Sequence, residues 1–349
     1  MIHQRQICIP TLVRIKRGAL DRLGIYAARH DFKRVQILAS QDLPGTLLER
    51  LETSLAANGI EVVGKETVRE ASLEFAQSIF ANLPGRTQAV IGLGGGKALD
   101  IAKYVGFLAR LPDISVPTSL SNDGFCSPQS SLTITGKRRS LPSQMPFGVV
   151  VDTEVTGAAP IPLWWSGVGD LVSKVTAVRD WKLAFHARGT PVDDFAALLS
   201  DATVFQFVAR PVRDAEGEAL LANALMLNGV AMEVCGSSRP ASGSEHLISH
   251  ALDASSRKPR LHGLQVGVAT YLISQLQGQG TELIRSLFER TRFWEAFQEQ
   301  PLSRREWLEA IRVAPGIKDN FHTILTERDC LPEAERLLNE DPQLSAVFE

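Results

Sequence analysis

The sequence predicts two domains: an α/β domain with a parallel sheet over residues 1–160, and an all-helical domain over residues 161–349. Three observations support this division. At 349 residues the chain is longer than a domain with a single hydrophobic core usually is. Strand-like and helix-like runs alternate in its first third, which is typical of parallel βαβ units. Beyond about residue 160, long runs of helical period replace them.

Short apolar and β-branched runs predict four strands in the first domain. They are VQILAS at 35–40, EVVG at 61–64, QAVIGLG at 88–94 and DISVPTS at 113–119. Each of the first three strands precedes a run of helical spacing. Gly59 and Gly85 end the first two helices, because glycine adopts the conformations that stop a helix.

Six long amphipathic runs predict the helices of the second domain. They cover residues 166–188, 193–209, 215–235, 244–254, 262–278 and 281–298. The boundary is expected near TGAAPIP at 156–162, where glycine and proline cluster. Residues 300–349 support no assignment.

Charge and cysteine content narrow the function classes. The chain has 37 basic and 39 acidic residues, a net charge of −2, so no global basic field would hold nucleic acid or an anionic membrane. Its four cysteines form no CxxC pair, which favours reduced thiols in a cytoplasmic protein. The start MIHQRQICIP lacks the pattern of a signal peptide, and no uncharged apolar run is long enough to span a membrane.

The segment VIGLGGGKALDIAK reads as a strand, then glycines, then a helix. Gly94, Gly95 and Gly96 would let backbone N–H groups approach an anion at the positive end of that helix. A tight turn that binds nothing is the alternative, but three consecutive glycines each cost entropy on folding. The motif differs from GxGxxG, so by itself it predicts a nucleotide phosphate site and little more.

An acidic residue and three histidines stand where a metal could be held. His246 and His250 share a helix face at i, i+4 spacing, His262 is expected at a helix start, and Asp170 follows a glycine. One carboxylate and two imidazoles would suit a divalent Lewis acid with an open position. Spacing alone leaves a solvated helix face, a helix-terminal His262 and an N-cap Asp170 equally open.

Five segments, taken together and in order, resemble the glycerol-1-phosphate dehydrogenase family. They are GLGGGKALDIAK, SVPTSLSNDGFCSP, SGVGDLVSKVTAVRDW, SRPASGSEHLISHALD and LHGLQVGVAT. The wider superfamily also contains glycerol dehydrogenases, iron-containing alcohol dehydrogenases and dehydroquinate synthases. The combination is specific, whereas no single segment is.

The resemblance implies a role for each matching residue. Asp170, His246 and His262 would bind one divalent metal, with zinc expected first and nickel or iron as alternatives. Asp170 would thereby be catalytic, together with Asp123, which would contact substrate hydroxyls, and His250, which would contact substrate. The cofactor, NAD or NADP, would lie against a larger set: Gly94, Gly95, Gly96, Lys97, Asp100, Thr118, Ser119, Ser121 and Ser127.

The implied reaction is the reversible reduction of dihydroxyacetone phosphate. Glycerol dehydrogenase, or a biosynthetic dehydrogenase for another small keto compound, is the alternative. A dehydroquinate synthase-like cyclase would typically carry Glu where this chain has Asp170, and a non-catalytic nucleotide-binding homologue would have lost part of the metal set. Two segments depart from the family pattern. Asn122 stands where His is common. Ala39 and Ser40 offer no carboxylate for a ribose, so NADP is allowed.

A phosphorylated substrate needs a local cationic clamp in a chain of net charge −2. Candidates are Lys137, Arg138 and Arg139, although GKRRS also reads as a solvated hairpin tip. Further candidates are Lys174, Arg257 and Lys258. We also expect a homo-oligomer.

Overall fold

The computed structural model describes residues 6–349. Part of the segment examined for a signal peptide lies outside these residues. The chain divides into two compact units, one formed by the described residues up to Ala159 with Asp214–Glu233, and one by Pro160–Arg213 with Val234–Glu349.

The first unit is built on a parallel sheet of six strands in the order β1-β8-β5-β4-β2-β3. These strands are β1 (Leu12–Ile15), β2 (Arg34–Ser40), β3 (Glu61–Val68), β4 (Ala89–Gly94), β5 (Asp113–Pro117) and β8 (Gly148–Val151). The central strands are almost wholly buried because helices cover both faces. The predicted α/β class with a parallel sheet is confirmed. The sequence interpretation missed β1 and β8, whose four residues each are too short to show a period.

Helices link the strands of this unit. They are α1 (Leu23–Ala28), α2 (Gly45–Ala56), α3 (Leu73–Ala81), α4 (Gly96–Ala109) and α5 (Thr153–Gly157). An antiparallel hairpin, β6 (Gln129–Ile134) with β7 (Lys137–Pro142), also belongs to it. The GKRRS segment therefore lies at an exposed hairpin tip, as the alternative interpretation had it.

The second unit is helical, as predicted. It contains α6 (Ile161–Val172), α7 (Lys174–Arg188), α8 (Asp194–Val208), α10 (Ser244–Ser255), α11 (His262–Leu276), α12 (Thr281–Thr291), α13 (Arg304–Val313), α14 (Ile324–Glu327), α15 (Leu331–Glu340) and α16 (Pro342–Ser345). The last four lie in the segment that supported no assignment. The predicted helix 166–188 is two helices, α6 and α7, which meet at Ser173.

One helix departs from the expected two consecutive domains. α9 (Ala215–Cys235) contributes residues up to Glu233 to the first unit rather than to the helical one. Gly229 lets α9 pack closely against the backbone at Cys126, because a Cβ at position 229 would lie 1.4 Å from the carbonyl oxygen of Cys126. By length and composition this helix could cross a membrane, but 61% of its most apolar window is buried, as in the core helix of a soluble protein.

Candidate metal centre and cofactor cradle

Close contact between two helices brings Asp170 and His262 together. α6 and α11 cross through glycines: a Cβ on Gly169 would lie 2.0 Å from the oxygen of Gly263, and one on Gly263 would lie 1.8 Å from that of Ser166. No larger residue fits at either position, so the backbones approach closely. Asp170 on α6 and His262, the first residue of α11, then face His246 on α10.

The Asp170–His246–His262 cluster has the spacing of a metal site. Its potential ligand atoms all lie within 4.8 Å of one another. Asp170 Oδ1 is 3.5 Å from His246 Nε2, and the rings of His246 and His262 are 5.2 Å apart between centroids. A tetrahedral zinc site with N and O ligands separates them by about 3.3 Å. The donor set and its spacing therefore fit a divalent metal.

Neighbouring side chains fix the orientation of both rings. Glu245 Oε1 lies 2.9 Å from His246 Nδ1, and Ser249 Oγ lies 3.2 Å from His262 Nδ1. Glu245 is fully buried and also accepts hydrogen bonds from Thr176 and from the backbone of Gly243. The Glu245 carboxylate at Nδ1 orients the ring so that Nε2 of His246 is directed towards Asp170. A carboxylate on the second ring nitrogen is the usual outer contact of a metal-bound histidine.

The electrostatics of the cluster favour an ionised carboxylate. Burial alone would raise the pKa of Asp170, but the charge of Lys174 and contacts with His246 and His262 hold it well below its usual range. Burial opposes the charged form of His246, yet Asp170 and Glu245 raise its pKa above the ordinary value. A metal ion would therefore displace a proton from His246, so its affinity should rise with pH.

Lys174 serves this carboxylate rather than a substrate phosphate. Its side chain is fully buried, with Nζ 3.5 Å from Asp170 Oδ1 and 3.3 Å from the carbonyl oxygen of Ala241. This placement excludes the earlier suggestion of a phosphate clamp there. Arg257 and Lys258 are exposed in the loop before α11.

His250 lies beside the cluster, one turn beyond His246. Its ring centroid is 6.0 Å from that of His262 and 6.4 Å from that of His246, and the residue is half-buried. The i, i+4 pair therefore places one histidine in the cluster and the other next to it. Substrate contact by His250 stays a prediction.

In the α/β unit, the three glycines at the end of β4 differ in what they do. Gly94 has φ +141°, and a Cβ there would lie 2.1 Å from Ser40 Oγ, so the fold itself requires glycine. Gly95 has φ −84°, and a Cβ at Gly95 or Gly96 would meet nothing within 4 Å. The backbone does not require glycine at these two positions. Their missing side chains leave an open cradle at the N-terminus of α4, which fits a phosphate.

Other predicted cofactor residues lie in this unit in two different settings. Thr118 donates its backbone N–H to Gly94 at 3.0 Å, directly beside the cradle, and Lys97 is exposed on the first turn of α4. Asp100 and Ser127 are instead buried, and both lie near the ammonium of Lys103, at 3.6 and 3.3 Å. The cofactor contacts proposed for the whole set remain predictions.

Three predicted residues follow β5 in the same unit. Ser119 and Ser121 lie in the loop after that strand, and Asp123 begins a short 3₁₀ helix, Asp123–Cys126. The side chain of Asn122 accepts a hydrogen bond from the backbone of Gly124 at 2.9 Å, so it caps this turn. The departure from the family pattern at Asn122 thus has a local structural role.

Comparison with known proteins identifies the family. The model of the iron-containing alcohol dehydrogenase family matches residues 14–160. The NAD(P)+ glycerol-1-phosphate dehydrogenase of Aeropyrum pernix is 36% identical over 342 residues, covering 95% of this chain and 96% of the relative. That of Methanosarcina mazei is 35% identical over 337 residues, covering 94% of each. The chain belongs to the glycerol-1-phosphate dehydrogenase family. Within it, this chain is an NAD(P)-dependent, metal-dependent oxidoreductase.

Solved structures show how widely this family's fold is shared. Glycerol dehydrogenase from Schizosaccharomyces pombe superposes with a TM-score of 0.75 at 20% identity, covering 96% of this chain and 92% of that one. An iron-containing alcohol dehydrogenase from Thermotoga maritima gives 0.68 at 16% identity, covering 97% and 99%. At such identities the likeness concerns the fold alone.

The sequence interpretation overlooked Glu245 and the contact that Ser40 makes. Glu245 was passed over although it directly precedes His246, and a carboxylate beside a candidate ligand is itself a signal. Ser40 accepts a hydrogen bond from the N–H of Gly95 at 3.1 Å, across the ends of β2 and β4. Its place at the carboxyl end of a parallel strand could have indicated it, because ligands bind at that edge.

Proposed function

We propose that this chain reduces dihydroxyacetone phosphate reversibly to glycerol 1-phosphate, using NADH or NADPH. The observation that carries the proposal is the Asp170–His246–His262 cluster, in which Asp170 and His246 are buried, with Glu245 behind it. The names of relatives 36% and 35% identical over nearly the whole chain support the substrate.

Asp170, His246 and His262 would hold one divalent ion, for which zinc suits the donor set and nickel or iron is the alternative. When bound, such an ion supplies Lewis acidity towards the carbonyl oxygen of the ketone. Glu245 and Ser249 keep the two imidazole rings oriented, and Lys174 keeps the Asp170 carboxylate ionised.

His250 is the proposed proton donor in the direction of reduction. Hydride transfer to the ketone carbon leaves negative charge on its oxygen, and this oxygen must gain a proton. A half-buried imidazole beside the cluster suits this role. The backbone N–H groups of Gly96 and Lys97, in the first turn of α4, would bind the cofactor's pyrophosphate, with the start of α4 adding its favourable dipole.

The second candidate function is oxidation of an unphosphorylated polyol. Both reactions need the same Asp-His-His set, so recognition of the phosphate separates them. We further propose that the enzyme is cytoplasmic and forms a homo-oligomer. Its free cysteines support the cytoplasmic assignment, because thiols stay reduced in that compartment.

The decisive experiment compares dihydroxyacetone phosphate with dihydroxyacetone after reconstitution with zinc, nickel or iron. We expect kcat/KM to favour the phosphorylated ketone by at least about tenfold, because one charged hydrogen bond to phosphate contributes about 1.5–3 kcal/mol. Parallel runs with NADH and NADPH would define the cofactor. Equal kcat/KM for the two ketones would rule out the phosphorylated substrate and favour the polyol alternative.

A further inference from the structure

Two cations of the helical unit lie together on one aromatic ring. The guanidinium carbon of Arg239 is 3.7 Å from the centroid of Phe321, and Lys318 Nζ is 4.6 Å from it. Arg239 is only 5% exposed and Lys318 is half-buried. Such like charges repel each other, and burying them costs free energy unless an anion compensates.

No carboxylate of the described residues pairs directly with these two cations. Among residues 6–349, no carboxylate oxygen lies within 4.0 Å of either cation. The charges of Asp180 and Glu245 do reach Arg239 and Lys318, respectively. Both carboxylates are occupied elsewhere, however, Asp180 by backbone N–H groups of Ser244 and Ile324, and Glu245 by His246.

The hydrogen bonding of the cations leaves donors available. The guanidinium of Arg239 donates from Nη1 to the carbonyl oxygen of His322, which is its single hydrogen bond in the described part of the chain. Lys318 Nζ lies 3.2 Å from Ser238 Oγ. The hydroxyl of Ser242, 6% exposed, has no partner within residues 6–349. A buried hydroxyl and two cations with spare N–H donors are what a phosphate requires.

The pair is tied to the metal cluster through two hydrogen-bond routes. Ala241, two residues after Arg239, accepts from Lys174, which pairs with Asp170. Asp180 accepts from Ser244, at the start of the helix that carries His246 and His250, and from Ile324, just beyond Phe321. Both segments that carry the cations are thus fixed at the N-terminal end of α10.

We propose that Arg239, Lys318 and the hydroxyl of Ser242 bind the phosphate group of the substrate. This inference rests on the proposed function and identifies how that same site distinguishes a phosphorylated ketone from a plain one. The glycine cradle of the α/β unit already provides a phosphate site for a dinucleotide. A second anion site, in the unit that carries the Asp170–His246–His262 cluster, therefore suits the reacting molecule.

The pKa of Lys318 predicts that substrate binding at this site depends on pH. Burial, and next the charge of Arg239, lower its pKa to about 8, while Glu245 acts in the opposite direction. The ammonium is therefore lost as pH rises through about 8, and with it part of the attraction for phosphate. In wild type, kcat/KM for dihydroxyacetone phosphate should fall above that pH. Lys318→Arg should move this limb upward, because arginine stays charged.

The test compares Lys318→Gln, Arg239→Met and Ser242→Ala with the exposed control Lys182→Gln. Each cation variant should lower kcat/KM for dihydroxyacetone phosphate roughly 10- to 150-fold. The value for dihydroxyacetone and the NADPH Kd, measured by fluorescence, should stay within about twofold. If Arg239→Met does not fold, Lys318→Gln, at the less buried of the two cations, carries the test. Equal losses for both ketones, or a weaker NADPH Kd, would overturn the assignment.

Direct anion binding separates this inference from the proposed function. Inorganic phosphate should raise the thermal unfolding midpoint of the NADPH-saturated wild-type protein, in which the glycine cradle is occupied. This shift should vanish in Lys318→Gln but persist in Lys182→Gln. If wild type does not prefer the phosphorylated ketone yet shows this pattern, the proposed function fails and the anion site stands. If it prefers that ketone while Lys318→Gln keeps both the preference and the shift, the function stands and this inference fails.

Discussion

The glycine cradle and the Asp170–His246–His262 cluster differ in the part of the polypeptide that would bind the ligand, which is the backbone in the first and side chains in the second. In the proposed cradle, backbone N–H groups and open space would do the binding, so function would depend on the side chains that are missing at Gly95 and Gly96. In the cluster, three side chains from three helices converge, and glycines between α6 and α11 allow the approach. Adding an atom should damage the first site, whereas removing atoms should damage the second.

The largest effect should follow removal of a ligand from the cluster. His262→Ala should abolish turnover and release the metal, because two remaining ligands hold a divalent ion poorly. Elemental analysis of the purified variant, alongside rate measurements, checks both. His250→Asn is the matched control, because His250 lies beside the cluster and is not one of its three ligands. This variant should lose activity but keep stoichiometric metal. A His262→Ala protein with full metal content would show that the cluster is not the binding site.

Loss of the Glu245 charge, which lies behind His246, should lower metal affinity without abolishing it. Glu245→Gln keeps the size of the side chain but removes the charge that makes His246 a stronger ligand. Loss of such an outer partner typically costs 10- to 100-fold in metal affinity or activity. Competition with a chelator would measure the affinity. An unchanged affinity would mean that the contact between Glu245 and His246 Nδ1 only supports the fold.

The two sites also differ in how much the sequence could reveal. The cradle is one continuous segment, so strand, glycines and helix could be predicted from neighbouring letters alone. The cluster joins Asp170 to residues more than 70 positions away, and spacing could not separate His246 from His250; only the family resemblance did. Arg239 and Lys318 escaped altogether, because Lys318 lies in a segment without clear periodicity and their proximity arises from tertiary packing.

Paired substitutions at adjacent glycines would sharpen the distinction inside the cradle. Gly95→Ala should leave the unfolding midpoint nearly unchanged and raise the cofactor KM about tenfold, because one charged hydrogen bond to phosphate is impaired. Gly94→Ala should lower the midpoint instead, since φ +141° and Ser40 leave no room for a Cβ. Gly85→Ala, another turn glycine with open space, is the control and should do neither. Equal cofactor KM values for Gly95→Ala and wild type would contradict the cradle.

The smallest effect should come from Ser40, which borders the cradle at the end of β2. Its hydroxyl accepts from the N–H of Gly95, so Ser40→Ala removes a bond worth about 0.5–1.5 kcal/mol and should affect NADH and NADPH equally. Ser40→Asp adds a carboxylate of the kind that binds the ribose 2′-hydroxyl of NAD in dinucleotide-binding folds. Repulsion between two charges about 4 Å apart in water is about 1 kcal/mol, so NADPH should lose about fivefold relative to NADH. The ratio of the two Kd values, compared between Ser40→Ala and Ser40→Asp, isolates the charge from the lost hydrogen bond. If both variants change the ratio equally, the 2′-phosphate does not lie near Ser40, and the cradle binds the dinucleotide in another orientation.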